Sequence, residues 1–71
     1  MSSIELDHLI KMSNQIADNI AIGANDSTTA SKVADHITRF WARPMKEQII
    51  HYAASDGNRL NPIAKMAITL L

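Results

Sequence analysis

Apolar residues recur along this chain three and four positions apart, and nowhere do they alternate as they would in a strand. That spacing belongs to helices with one buried face, so the chain is expected to be all-α. At 100° per residue, Leu6, Leu9, Ile10, Ser13, Ile16, Ala17 and Ile20 fall within an arc of about 120°. They predict a first helix over 4–21, with Ser2 or Ser3 as N-cap and Glu5 favourably placed in the first turn. The turn-prone run Gly23-Ala24-Asn25-Asp26 stops it. A second helix, capped by Ser27 or Thr28, is expected to reach about Trp41. It turns Val33, Ala34, Ile37, Phe40 and Trp41 inward and sets Asp35 one turn ahead of Arg39.

Pro44 closes this helix, because the residue before a proline is pushed out of the α region, and it can open the next at its first position. The third helix should run to about Ser55 with Met45, Ile49, Tyr52 and Ala53 inward. Gly57 is placed to be its left-handed C-cap residue, with Leu60 closing the hydrophobic contact behind it. Asn61-Pro62 then reads as N-cap and first position of a short fourth helix ending near residue 70. The expected architecture is a small compact bundle of four helices, the last one short, forming a single helical domain over residues 1–71.

Size limits how such a bundle is stabilised. A chain of 71 residues buries only about 60% of its unfolded surface and is marginal without staples. It has no cysteine, so disulfides and thiolate metal sites are excluded, leaving packing, self-association or a partner. Seven basic residues balance seven acidic ones, which offers no long-range field to nucleic acid. The apolar runs are far too short to span a bilayer, and Met1-Ser2-Ser3-Ile4-Glu5 does not resemble a secretory leader. No nucleic acid, no membrane and a cytoplasmic address are therefore expected.

Several residues exceed the needs of a bundle. On the fourth helix Ile63, Met66, Ala67 and Leu70 form an expected core stripe, while Ala64, Ile68 and Leu71 lie elsewhere on its circumference. So wide an apolar surface reads either as a frayed terminus with tolerated apolar residues or as a contact patch for another chain. A homodimer in isolation could cover it. Met12 and Ile22 fall outside the first helix's core arc. Ser13 lies inside it, where its small size admits a close neighbour and its hydroxyl can bond back one turn. Arg39-Phe40-Trp41-Ala42-Arg43-Pro44-Met45-Lys46 gathers two large aromatics and three cations at a helix–helix corner. Trp and Arg are frequent interface anchors, yet Phe40 and Trp41 also suit core packing and the arginines suit a helix C-terminus. Arg39, Arg43 and Lys46 further admit an alternative reading as a stand-alone helical adaptor or a small anion- or nucleotide-binding module, without a Gly-rich loop to support it.

Catalytic constellations do not emerge. His8, His36 and His51 belong to three separate expected helices without metal-ligand spacing, and no serine stands in a Gly-x-Ser-x-Gly context. The chain is expected not to be an enzyme and to bind no cofactor or metal itself.

Three segments, in order and at matching spacing, carry a family likeness. They are Leu9-Ile10-Lys11-Met12-Ser13-Asn14-Gln15-Ile16-Ala17, then Val33-Ala34-Asp35-His36-Ile37-Thr38-Arg39-Phe40-Trp41 through Met45, and Leu60-Asn61-Pro62-Ile63 with the apolar helix after it. Together they resemble the delta subunit of NAD-dependent formate dehydrogenases across nearly the whole chain. Two departures mark this chain: Ala42-Arg43-Pro44 where the family often has an acidic residue and then proline, and Ser13 where alanine is common. The resemblance implies a small cytoplasmic accessory subunit that associates with the large catalytic subunit and assembles or stabilises the active complex. It also implies that the pterin-bound molybdenum or tungsten, the iron-sulfur clusters and the FMN of that enzyme sit in other subunits. Asn14 and Gln15 match the family motif yet lie on the polar side of the first helix, so they either contact the partner or cap a neighbouring loop. The residues expected to meet the partner are Met12, Asn14, Gln15, His36, Arg39, Trp41, Arg43, Ile68 and Leu71.

Overall fold

A computed structural model describes residues 3–20 and 25–71, with side chains from residue 5 onward. Its four helices are α1 (Ser3–Ile20), α2 (Asp26–Phe40), α3 (Arg43–Ser55) and α4 (Pro62–Thr69), and no strand occurs among the described residues. The expected all-α bundle with a short last helix is what forms. Ser2, Ile22 and Gly23-Ala24, which entered the expectations above, lie outside the described residues.

The local signals account for most helix ends, with one correction. Asn25, not Ser27 or Thr28, caps α2: its side chain accepts from the Thr28 N–H at 2.8 Å. The helix begins at Asp26, so Asn25 holds the N-cap position and Ser27 and Thr28 already lie inside the first turn, where Asp26 complements the dipole. At the other end Trp41 leaves the helix in an extended conformation, its N–H still donating to the Ile37 carbonyl. Pro44 is the second residue of α3, which begins one residue earlier at Arg43, and in this first turn its missing N–H leaves no orphan donor. Lys46 reaches back from that turn, its Nζ 3.3 Å from the Thr38 carbonyl, and satisfies part of the exposed end of α2.

Gly57 follows α3 with φ +66°, the left-handed conformation in which an L side chain is strained. A Cβ there would also lie 2.8 Å from Lys65 Cε and 3.1 Å from the Ala53 carbonyl. Gly57→Ala is therefore expected to lower unfolding free energy by about 1–2 kcal/mol, measured by urea titration. Gly57→Asn should lose less, because asparagine visits this region more readily.

The core is assembled largely from small residues. Ala17, Ala30, Ala34, Ala64, Ala67, Ser13 and Thr29 are buried beside Leu9, Ile10, Val33, Ile37, Trp41, Ile49, Leu60 and Ile68. Small side chains let helix backbones approach closely, and α2 makes its most extensive contact with α4, whose inward residues are Ala64, Ala67 and Ile68. Ser13 behaves as expected: fully buried, it donates to the Leu9 carbonyl at 2.8 Å, so its hydroxyl is satisfied inside the helix. The radius of gyration, 11.1 Å, equals that of a compact domain of this length, about 11 Å.

Two expectations about facing residues fail. On α4 the buried stripe is Ala64, Ala67 and Ile68, while Met66 (41% exposed) and Leu70 (59%) point outward. On α2, Phe40 is 70% exposed. It shares the inward arc only in angle. It lies in the last turn, where the chain swings out of the helix and Trp41 takes the corner.

Candidate partner-binding site

The first and third family-like segments meet at an asparagine. Asn14, on α1, donates from Nδ2 to the Arg59 carbonyl at 2.9 Å and accepts the Asn61 N–H on Oδ1 at 2.8 Å. Asn61 in turn caps α4 by accepting the Ala64 N–H at 2.8 Å, and its Nδ2 lies 3.3 Å from Asp18 Oδ1. One amide on α1 therefore clamps the loop that launches α4, and a second carries the clamp into the helix. Because both Asn14 contacts are to backbone groups 45 and 47 residues away, no local reading of α1 reveals them. Of the two readings of Asn14, the loop-capping one is the contact formed. Gln15, its neighbour, is exposed.

The same loop has two further ties. Tyr52 Oη accepts the Arg59 N–H at 3.0 Å, and the Arg59 guanidinium meets Asp7 Oδ1 at 2.6 Å. That hydrogen bond, aided by charge attraction, holds Arg59 above its ordinary pKa. Both side chains are more than half exposed, so the pair orients the loop more than it stabilises the fold.

The middle segment forms the α2–α3 corner. Here Trp41 is only 6% exposed and contributes packing, not surface. Ile68 (3% exposed) is likewise core, because α4 turns it toward α2, and Leu71 packs half-buried against the same core. The remaining residues expected at a contact are placed differently. Met12 and Arg43 are exposed, His36 is half-buried, and Arg39 is exposed with Asp35 at 3.7 Å. Phe40, read from periodicity as core, is the exposed aromatic of this corner instead. Its ring lies 4.8 Å from that of His36, tilted by 46°. Of the three cations in the anion-binding reading, Arg39 lies 3.7 Å from Asp35 with both side chains largely exposed, and Lys46 donates to the Thr38 carbonyl at 3.3 Å.

An open groove of about 630 Å³ lies elsewhere, lined by Leu6 of α1 and by Pro44, Glu47, Gln48, His51 and Tyr52 of α3. Glu5 bounds this region through a 2.9 Å hydrogen bond from Gln48. Among the described residues no group of three or more histidine or acidic side chains is placed to hold a metal ion. Nor is any described helix long and apolar enough to cross a membrane.

These observations define a small all-α chain, locked by long-range amide contacts, that leaves large apolar side chains on its surface. It belongs to the family described as NADH-dependant formate dehydrogenase delta subunit FdsD, which matches residues 8–68 of the 71. The match takes in nearly all of the three segments quoted above. No curated protein and no solved structure matches the chain.

Proposed function

We propose that this chain is a non-catalytic subunit of a cytoplasmic NAD-dependent formate dehydrogenase, and that it binds the large catalytic subunit and assembles or stabilises the active complex. The observation that carries the reading is the family match over residues 8–68. Exposed Phe40, Met66 and Leu70 support it physically, since large apolar side chains left in water gain by being covered. The chemistry in this reading belongs to the partner, whose other subunits hold the molybdenum- or tungsten-bound pterin, the iron-sulfur clusters and the FMN.

Affinity-tagged chain produced in its native host under conditions that yield active formate dehydrogenase is expected to retrieve the large subunit, identified by mass spectrometry. Cells lacking the chain should contain less active enzyme. Failure to recover that subunit from cells with full activity would reject the reading.

A further inference from the structure

The α2–α3 corner is a candidate docking face with a definable partner chemistry. Phe40 has the largest fractional exposure of the large apolar side chains described, 70%. The His36 ring one turn earlier lies 4.8 Å from it, and buried Trp41 follows it directly in the chain, so both limit the directions its ring can take. An aromatic ordered before binding loses little freedom on being covered.

Charge is segregated around this ring. The chain is neutral overall, with seven cations and seven acids, yet residues 32–46 hold four of the cations (Lys32, Arg39, Arg43 and Lys46) and only one acid, Asp35. The excess of three positive charges here is matched by an equal negative excess over the rest of the chain. Asp35 neutralises Arg39 only loosely, at 3.7 Å with both side chains 68% exposed. Lys46 keeps its charge while donating to a carbonyl, and Arg43 has no carboxylate partner among the described residues. The helix dipole accounts for some of these cations at the end of α2, but it does not require an aromatic ring in water among them.

We propose that this corner docks on a protein surface that offers one apolar socket for Phe40, rimmed by carboxylates that meet Arg39 and Arg43. The inference rests on the subunit reading above and adds the face and the chemistry of its partner. A nucleic-acid strand fits less well. A neutral chain exerts little long-range attraction on a polyanion, and strand-binding grooves stack successive bases on several aromatics, where this corner shows one.

The test uses tagged full-length chain in the host that makes the enzyme, with the large subunit in the eluate quantified and the melting curve of each purified variant recorded. Phe40→Ala is expected to melt like the parent, since its side chain is mostly in water, and to retrieve less than about one tenth as much large subunit. Arg39→Glu/Arg43→Glu should lose retrieval to a similar degree, and retrieval by the parent should fall as salt is raised. If Phe40→Ala proves unstable, Phe40→Leu, which keeps apolar bulk, and the charge reversal carry the comparison. Parent-level retrieval by both Phe40→Ala and the charge reversal would overturn the docking face while leaving the subunit reading intact. No large subunit retrieved by the parent would overturn both. Retrieval abolished by nuclease treatment would replace the acidic protein surface with nucleic acid and overturn the proposal.

Discussion

Asn14→Ala is expected to melt roughly 4–24 °C below the parent chain. The substitution removes the donor to the Arg59 carbonyl and the acceptor of the Asn61 N–H, and the second contact is partly shielded from water. Leaving such groups unpaired costs about 1–3 kcal/mol in total, and each kcal/mol moves the midpoint of a domain this small by about 4–8 °C. The loss should spread beyond the two bonds, because Asn61 is also the cap of α4 and its position depends on α1. Retrieval of the partner should fall in parallel and recover when the assay is cooled below the variant's midpoint. Gln15→Ala provides the contrast, with no change in melting expected from an exposed side chain. An Asn14→Ala midpoint equal to the parent's would show that the clamp contributes nothing.

Ile37→Ala should be more damaging still. Ile37 is fully buried in the middle of the core on α2. Removing its branched chain from such a site costs about 2–5 kcal/mol, the spread reflecting how far neighbours collapse into the space. The whole chain has on the order of 4–10 kcal/mol to lose. The urea midpoint should therefore drop by about half, and a variant already unfolded at ambient temperature would fit the upper end. Phe40→Ala, three residues along the same helix, deletes a larger side chain and is expected to leave stability nearly unchanged. The pair separates residues that hold the bundle together from one that faces outward. A large loss from Phe40→Ala with a small one from Ile37→Ala would place the core on the wrong side of α2.

Much of the fold was legible because a few residues have strong local preferences. Pro44, Gly57 and the Asn61-Pro62 pair mark their boundaries through backbone geometry alone, and the core arc of α1 follows from spacing. Apolar spacing places Ala67 and half-buried Ile63 of α4 inward as found, but it misplaces Met66 and Leu70 for a physical reason. Ile63, Met66, Ala67 and Leu70 and the alternative Ala64, Ala67, Ile68 and Leu71 both repeat at three and four. Periodicity weights the bulkier set, whereas close packing against α2 selects the smaller one. Phe40 departs from its expected inward place because a helical arc takes no account of where the helix ends, and its angular neighbours deeper in α2 are covered where it is not. Asn25 and the hydroxyls of Ser27 and Thr28, two and three residues later, are equally suited to capping by residue type, so local pattern does not choose among them.

The candidate site was less legible than the fold. Asn14 stood out as an amide with no evident duty on its own helix, but its partners lie 45 and 47 residues away. The Asp7–Arg59 contact spans 52 residues and leaves no trace in local pattern. Trp41, which suits both the inward arc and an interface anchor, and Ile68, which the width of the apolar arc suggests as a contact, both fill the core. The consequence is a division of labour. Asn14 and Asn61 tie α1 to the start of α4, while Phe40, Arg39 and Arg43 of the α2–α3 corner lie in solvent.

Hydrogen exchange, followed along the chain alone and within the purified enzyme, tests the reading of this protein as a binding subunit most directly. Added protection concentrated at residues 39–46, with little change around Asn14 and Asn61, is the expected result. An exchange profile left unaltered by the enzyme along the whole chain would contradict it.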